Sequence, residues 1–256
     1  MHLTYALPAP AHLTSMGQQE VDRRTALLNE WASPDTTVSV TTTPAGPASV
    51  ESMYEEYLAI PHLAASIRDS EASGSDAAII GCFGDPGLDG IREIAAKPVV
   101  GPAAASITLA ATLGHRFSIV TVADSVRHPL RRLAWDTGVE GALGEVRAVN
   151  VGVLALNADH DAAHAAVAEE CKRALDSADV DTLVLGCMSM GFLGAAERLT
   201  DELGVPVVNP VRAALHHAET LVRMRLAPSR RAYLVPPKVA AGSAPEDLLL
   251  TDTHQR

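Results

Sequence analysis

Two cysteines occupy matched places in this chain. Cys82 follows the apolar run of DAAIIGCFGDPG (76–87), and Cys187 follows that of DTLVLGCMSMG (181–191), 105 residues further on. Each stretch reads acid, apolar strand, glycine, cysteine, turn. Cysteines inside strands ordinarily act as small buried hydrophobes. A thiol where a strand gives way to a turn lies where α/β proteins present reactive groups. Backbone N–H groups surround it there, which predicts a lowered pKa. Gly81, Gly84, Gly186 and Gly191 let the backbone come close to a ligand. A cleft flanked by two such thiols offers a proton acceptor and a proton donor on opposite faces of one carbon. Inverting a stereocentre requires that arrangement. A redox dithiol is the competing use of the pair and would need Cα atoms within about 7 Å. The third cysteine, Cys171, sits in the helical pattern AVAEECKRALDSA with charged neighbours and no turn, and reads as structural.

The elements that must position the pair follow from periodicity. Short apolar runs alternate with longer helical patterns, the signature of βαβ units and parallel sheet. Strands are expected over 3–7, 37–42, 77–81, 98–100, 117–122, 146–151, 182–186 and 205–208. Helices are expected over 18–31, 52–73, 88–96, 103–113, 128–136, 161–177, 191–203 and 211–225. The duplication extends past the cysteines. KPVVGPAAASITLAATLG (97–114) resembles VPVVNPVRAALHHAETLV (205–222) at an offset of 108 residues. In both, a β-branched strand runs into a proline that opens a helix, where its missing N–H costs nothing. The predicted fold class is α/β: two pseudo-symmetric parallel-sheet domains with the active site in the cleft between them. Their expected extents are 1–101 plus 210–230 and 102–209. The tail, 231–256, reads as a mobile or oligomer-contacting segment.

Bulk properties exclude several classes. A net charge of −11 argues against nucleic acid or an anionic membrane as partner. No apolar run approaches the roughly 20 residues of a membrane span. The leading MHLTYALPAP has no basic segment followed by a long apolar core, so no secretory signal is expected. Three cysteines do not form a disulfide framework, which predicts a cytoplasmic chain with reduced thiols. Nor is a cofactor or metal expected. The glycines of GCFGDPG fit neither a Walker loop nor GxGxxG, and Lys97, Lys172 and Lys238 carry no Schiff-base motif. His160 and His164 lack a third ligand, and the adjacent His216 and His217 point to different helix faces.

CFGDPGLDGIREIAAKPVVG, LGHRFSIVTV, LGCMSMG and GVPVVNPVRAALHHAETL, with PAGPASVESMYEEYLAIPHL upstream, resemble the aspartate/glutamate/hydantoin racemase superfamily. The hydantoin and allantoin racemase branch is nearest, and the likeness covers about residues 44–225. It implies cofactor-independent proton transfer by two cysteines, carried onto Cys82 and Cys187. Presence of both weakens the decarboxylase branch, which works with one.

The chain departs from that pattern at Ala9-Pro10-Ala11, where the family has Asn-Pro-Asn. Ala103, Ala104 and Ala105 replace an acid, and Asn209-Pro210 replaces an Asp-Gly-like pair. The expected activity is racemisation or epimerisation of a carbon acid next to a carbonyl, such as a hydantoin or a related amide. Backbone N–H groups at Gly84, Asp85, Met188 and Ser189 are expected to steady the enolate oxygen. By resemblance, Thr121 and the loop holding Pro47, Ser49 and Val50 form cleft walls, and Phe83 and Pro210 complete the expected substrate contacts. A small-molecule substrate and a homo-oligomeric assembly are expected. The alternatives are a cis–trans isomerase or lyase of the same superfamily and a non-catalytic small-molecule binder.

Overall fold

Each cysteine-bearing strand is buried along its whole length, as the central strand of a sheet covered on both faces must be. A computed structural model describes residues 1–177 and 179–248. Its first sheet holds β1 (His2–Leu7), β2 (Thr37–Thr42), β3 (Ala77–Ile80) and β4 (Val99–Val100) in the order β2-β1-β3-β4. The second holds β5 (Phe117–Thr121), β6 (Leu143–Ala148), β7 (Thr182–Leu185) and β8 (Val207–Val208) in the order β6-β5-β7-β8. All pairings are parallel, and the two orders correspond strand for strand. Helices α1 (Gly17–Trp31), α2 (Met53–Ala72), α3 (Leu88–Ile94) and α4 (Pro102–Leu113) follow the strands of the first sheet. Helices α5 (Arg127–Asp136), α6 (Val153–Ala158), α7 (His160–Ser177), α8 (Met188–Phe192), α9 (Ala195–Leu203) and α10 (Pro210–Arg223) belong to the second repeat. A short α11 (Pro237–Ala240) lies in the tail.

The two halves share their cores. Helix α4 ends the first repeat but places Ala103, Ile107 and Ala110 in the core around β5 and β7. Helix α10 ends the second and places Val211, Ala214, Leu215 and Ala218 in the core around β1. The same exchange occurs at single residues. Phe83, next to Cys82, is buried in the second core, whereas Met188, next to Cys187, and Phe192 are buried in the first.

Two elements differ from the sequence expectation. Strand β6 ends at Ala148, because Asn150 adopts a left-handed backbone at φ 54° and turns the chain into α6, which periodicity did not reveal. The helix expected over 191–203 is two helices broken at Gly194, whose φ is 66°, and α8 starts directly after Cys187. Just before the tail, Arg230 donates to the carbonyls of Arg92, Glu93 and Ala95, and within it Tyr233 packs on the Arg92 guanidinium. Residues 249–256 of that tail lie outside the described residues.

Both cysteines are set by a glycine with no room for a side chain. Gly81 N–H donates to Ala6 O and Gly186 N–H to Val120 O, each at 2.7 Å, extending the ladder one residue past the strand. A Cβ on Gly81 would lie 2.7 Å from Ala6 O, and one on Gly186 would lie 2.7 Å from Ile119 Cγ2. Gly81→Ala and Gly186→Ala should therefore each cost about 1–3 kcal/mol through overpacking. Gly90→Ala, in the open interior of α3, should be neutral or stabilising by about 0.5–1 kcal/mol. Urea unfolding of the three variants checks the contrast.

Candidate active site

One cavity lies at the C-terminal edges of both sheets and is lined by Cys82 and Cys187 together. Its volume is about 70 Å³. Of the residues expected at the site, Ser49, Val50, Phe83, Gly84, Thr121, Met188 and Ser189 line it. Thr121 Oγ1 donates to Gly186 O at 2.9 Å, tying β5 to the turn that carries the second thiol.

Pro47, Asp85 and Pro210 do not line the cavity. Pro210 is the first residue of α10, opened by Asn209, whose side chain accepts from Val211 N–H and Arg212 N–H. Asp85 is buried and its carboxylate accepts from Ala103 N–H and Ala104 N–H, both at 2.9 Å, at the start of α4. Its N–H donates to Cys82 O within the turn, so that group is unavailable to an enolate. Burial raises the Asp85 pKa to about 7 in spite of those two hydrogen bonds.

The thiols depart from the expected electrostatics. Their turns do aim N–H groups at sulfur: Gly84 at Cys82, and Met190 and Ser189 at Cys187. Burial outweighs these bonds and raises both thiols above their ordinary value. Cys171 is fully buried on α7 in the second core, away from the cavity, with its pKa raised by burial to about 12. All three cysteines are free. Among the described residues, no cluster of His, Cys, Asp and Glu is placed to hold a metal. His164 instead faces Glu202 at 3.6 Å, and His216 meets Glu219 at 2.9 Å.

Three polar residues at the site escaped the sequence reading. Arg24 lines the cavity although only 1% exposed. Its guanidinium donates to Glu20 at 2.8 Å, to Ser189 Oγ at 3.0 Å and to Asn157 Oδ1 at 3.4 Å, and it lies 4.7 Å from the Phe192 ring centre. Glu56 also lines the cavity, with its carboxylate against Gly84 and its pKa raised by burial to about 7. Tyr5 is fully buried, and its hydroxyl finds no hydrogen-bond partner among the described residues. A signal was present in the helices. Val21, Arg24 and Leu28 form the buried stripe of α1, and Glu56 extends the stripe of Ala59, Leu63 and Ile67 on α2. Each is a charge in register with a core face.

The folded state holds the Glu56 proton more tightly than the unfolded chain does. This group's contribution to stability is therefore greatest below the ordinary carboxylate range. It declines as pH rises to about 7 and is constant above. Asp85 acts in the same direction. Urea unfolding of Glu56→Gln should show a shallower loss of stability over that range than the wild type, the remainder being due to Asp85.

Comparisons with known proteins can be placed on this geometry. The pattern of the Asp/Glu/Hydantoin racemase family matches residues 20–218. The hydantoin racemase of Pseudomonas sp. (strain NS671) is 38% identical over 205 residues, covering 80% of this chain and 82% of that protein. The hydantoin racemase of Rhizobium meliloti is 35% identical over 234 residues, covering 91% and 95% respectively. The structure of allantoin racemase from Klebsiella pneumoniae superposes with a TM-score of 0.84 at 32% identity, covering 93% of this chain and 94% of that one. Matched over most of its length in sequence and in fold, the chain belongs to the Asp/Glu/hydantoin racemase family and is an isomerase.

Proposed function

We propose that this isomerase inverts a stereocentre next to a carbonyl in a small cyclic ureide such as a 5-substituted hydantoin, using Cys82 and Cys187 as alternating base and acid and no cofactor. The observation that carries the reading is the placement of both thiols, from equivalent strand ends of the two halves, on one cavity. One thiolate takes the α-proton, and the electron pair of the C–H bond moves onto the carbonyl oxygen as an enolate. The other thiol then delivers its proton to the opposite face of that carbon. After one turnover the thiolate and the thiol have exchanged places, so the next substrate of the opposite hand meets the correct pair.

The rest of the cavity supports this chemistry. Leu7, Val50, Phe83, Val122, Val126, Leu130 and Met188 line it and exclude water from the proton path. The N–H groups of Gly84 and Ser189, aimed at sulfur, stand where a developing negative charge needs donors. A hydantoin α-proton is more acidic than that of a free amino acid, whose carboxylate opposes carbanion formation. Walls of mostly apolar side chains suit this easier carbon acid. Hydantoin racemase and allantoin racemase, the names of the relatives, point to the same substrate class.

Incubation of each enantiomer in heavy water, followed by mass spectrometry and polarimetry, tests the reading. Wild type should place deuterium at the stereocentre without altering the skeleton. A changed skeleton would instead identify a lyase or cis–trans isomerase. Cys82→Ala and Cys187→Ala should each lose about 10²–10⁴-fold in racemisation. Each should still exchange the α-proton of one enantiomer, and the two variants should prefer opposite hands. If both exchange the same hand, or either racemises near the wild-type rate, the opposed-thiol mechanism is wrong. Cys171→Ala should keep wild-type turnover while losing roughly 1 kcal/mol of stability from the emptied core volume.

A further inference from the structure

The two thiols, alike in their strands, face different charges. Cys187 is met by the N–H groups of Ser189 and Met190, by the Ser189 hydroxyl and by the positive charge of Arg24. Arg24 donates to Ser189 Oγ at 3.0 Å, so the hydroxyl accepts from the guanidinium and is left to donate its own proton to sulfur. Cys82 is met by one N–H, that of Gly84, and by the carboxyls of Glu56 and Asp85. Tyr5 lies within electrostatic reach of both sulfurs and does not discriminate between them. The pseudo-symmetry of the fold therefore breaks at the level of charge, with a cation acting on one thiol and carboxyls on the other.

We propose that Arg24 is a positioning residue which, through Ser189, makes Cys187 the thiol that ionises first, while Glu56 keeps the proton on Cys82. This rests on the two-thiol reading above. Two thiols lining one small cavity titrate as a pair, and ionising one opposes ionising the other. The singly ionised pair is the working form, and Arg24 selects which of its two arrangements prevails. The free enzyme then starts ready for the enantiomer whose α-proton faces Cys187. Arg24 is held for this task from every side. Glu20 pairs with its Nε, Asn157 and Ser189 accept from Nη2, and the Phe192 ring lies under its guanidinium. Phe192 is in turn fixed by Tyr5 and Trp31, with ring centres at 5.6 and 5.9 Å. A buried charge held so tightly is costly unless its neighbours fully satisfy it.

Alkylation by iodoacetamide, resolved by peptide mass spectrometry at a series of pH values, gives a labelling midpoint for each cysteine. Midpoints report ionisation rather than access, which matters because Cys187 is only 8% exposed and Cys82 is the more open. In wild type the Cys187 midpoint should lie about one pH unit or more below that of Cys82, a tenfold difference in thiolate population. Replacing Arg24→Gln together with Glu20→Gln removes the buried charge along with its carboxylate partner, leaving the half-exposed Arg23 its bond to Phe192 O, and should close that gap by raising the Cys187 midpoint. Glu56→Gln should narrow it from the other side by lowering the Cys82 midpoint. A Cys82 midpoint at or below that of Cys187 in wild type overturns the proposal. So does a gap that survives loss of Arg24 in a variant shown by circular dichroism to be folded. Labelling needs no turnover, so a wild type that exchanges deuterium into no hydantoin defeats the substrate reading while leaving this measurement valid.

Discussion

The close approach of β3 to β1, and of β7 to β5, is the constraint from which the site follows. Gly81 and Gly186 each carry the ladder one residue beyond the strand, where any Cβ would collide with the neighbouring strand. That extra paired residue fixes the direction in which the following cysteine leaves the sheet. Because the strand orders of the two sheets correspond, the same local rule applied twice delivers two thiols to equivalent edges. The halves need only pack edge to edge for both to line one cavity.

That packing is enforced by exchange rather than by a simple interface. Phe83 and Met188, the residues directly after the thiols, are buried in each other's half, so the turns carrying the cysteines are anchored from across the boundary. Helices α4 and α10 repeat the exchange on a larger scale. Separating the halves would expose both anchors at once, together with the aromatic group of Tyr5, Trp31 and Phe192. The geometry of the two sulfurs is therefore tied to the stability of the whole chain.

Much of this was legible in the sequence because it is carried by local pattern. Parallel strands buried on both faces read as short apolar runs, the paired glycines and cysteines marked their ends, and the prolines of α4 and α10 marked the exchange. What was not legible depends on partners distant in the chain. Asp85 looked like a substrate contact because it follows Cys82 in a turn, yet its carboxylate is used on the N–H groups of Ala103 and Ala104. The thiol pKa values were expected to fall, since the N–H groups of the turn are a local feature. Burial, which raises them, is a property of the assembled cavity. The break at Asn150 and the resulting α6 depend on a single left-handed residue inside a run that otherwise continues the strand.

Arg24 and Glu56 show how a duplicated fold acquires an asymmetric site. Both come from helices of the first half, Arg24 from α1 and Glu56 from α2. Pro8 and Ala9 leave the edge of the cavity after β1 apolar, and Arg24 from α1 brings a charge to the same cavity. A cation in an apolar wall acts over a longer range than it would in water, because little solvent screens it. In the proposal, one such side chain, opposed by one carboxyl, distinguishes two thiols that equivalent strand ends present to one cavity. In the proposed mechanism the sheets supply the two proton-transfer groups, and the helices packed against them determine which one acts first.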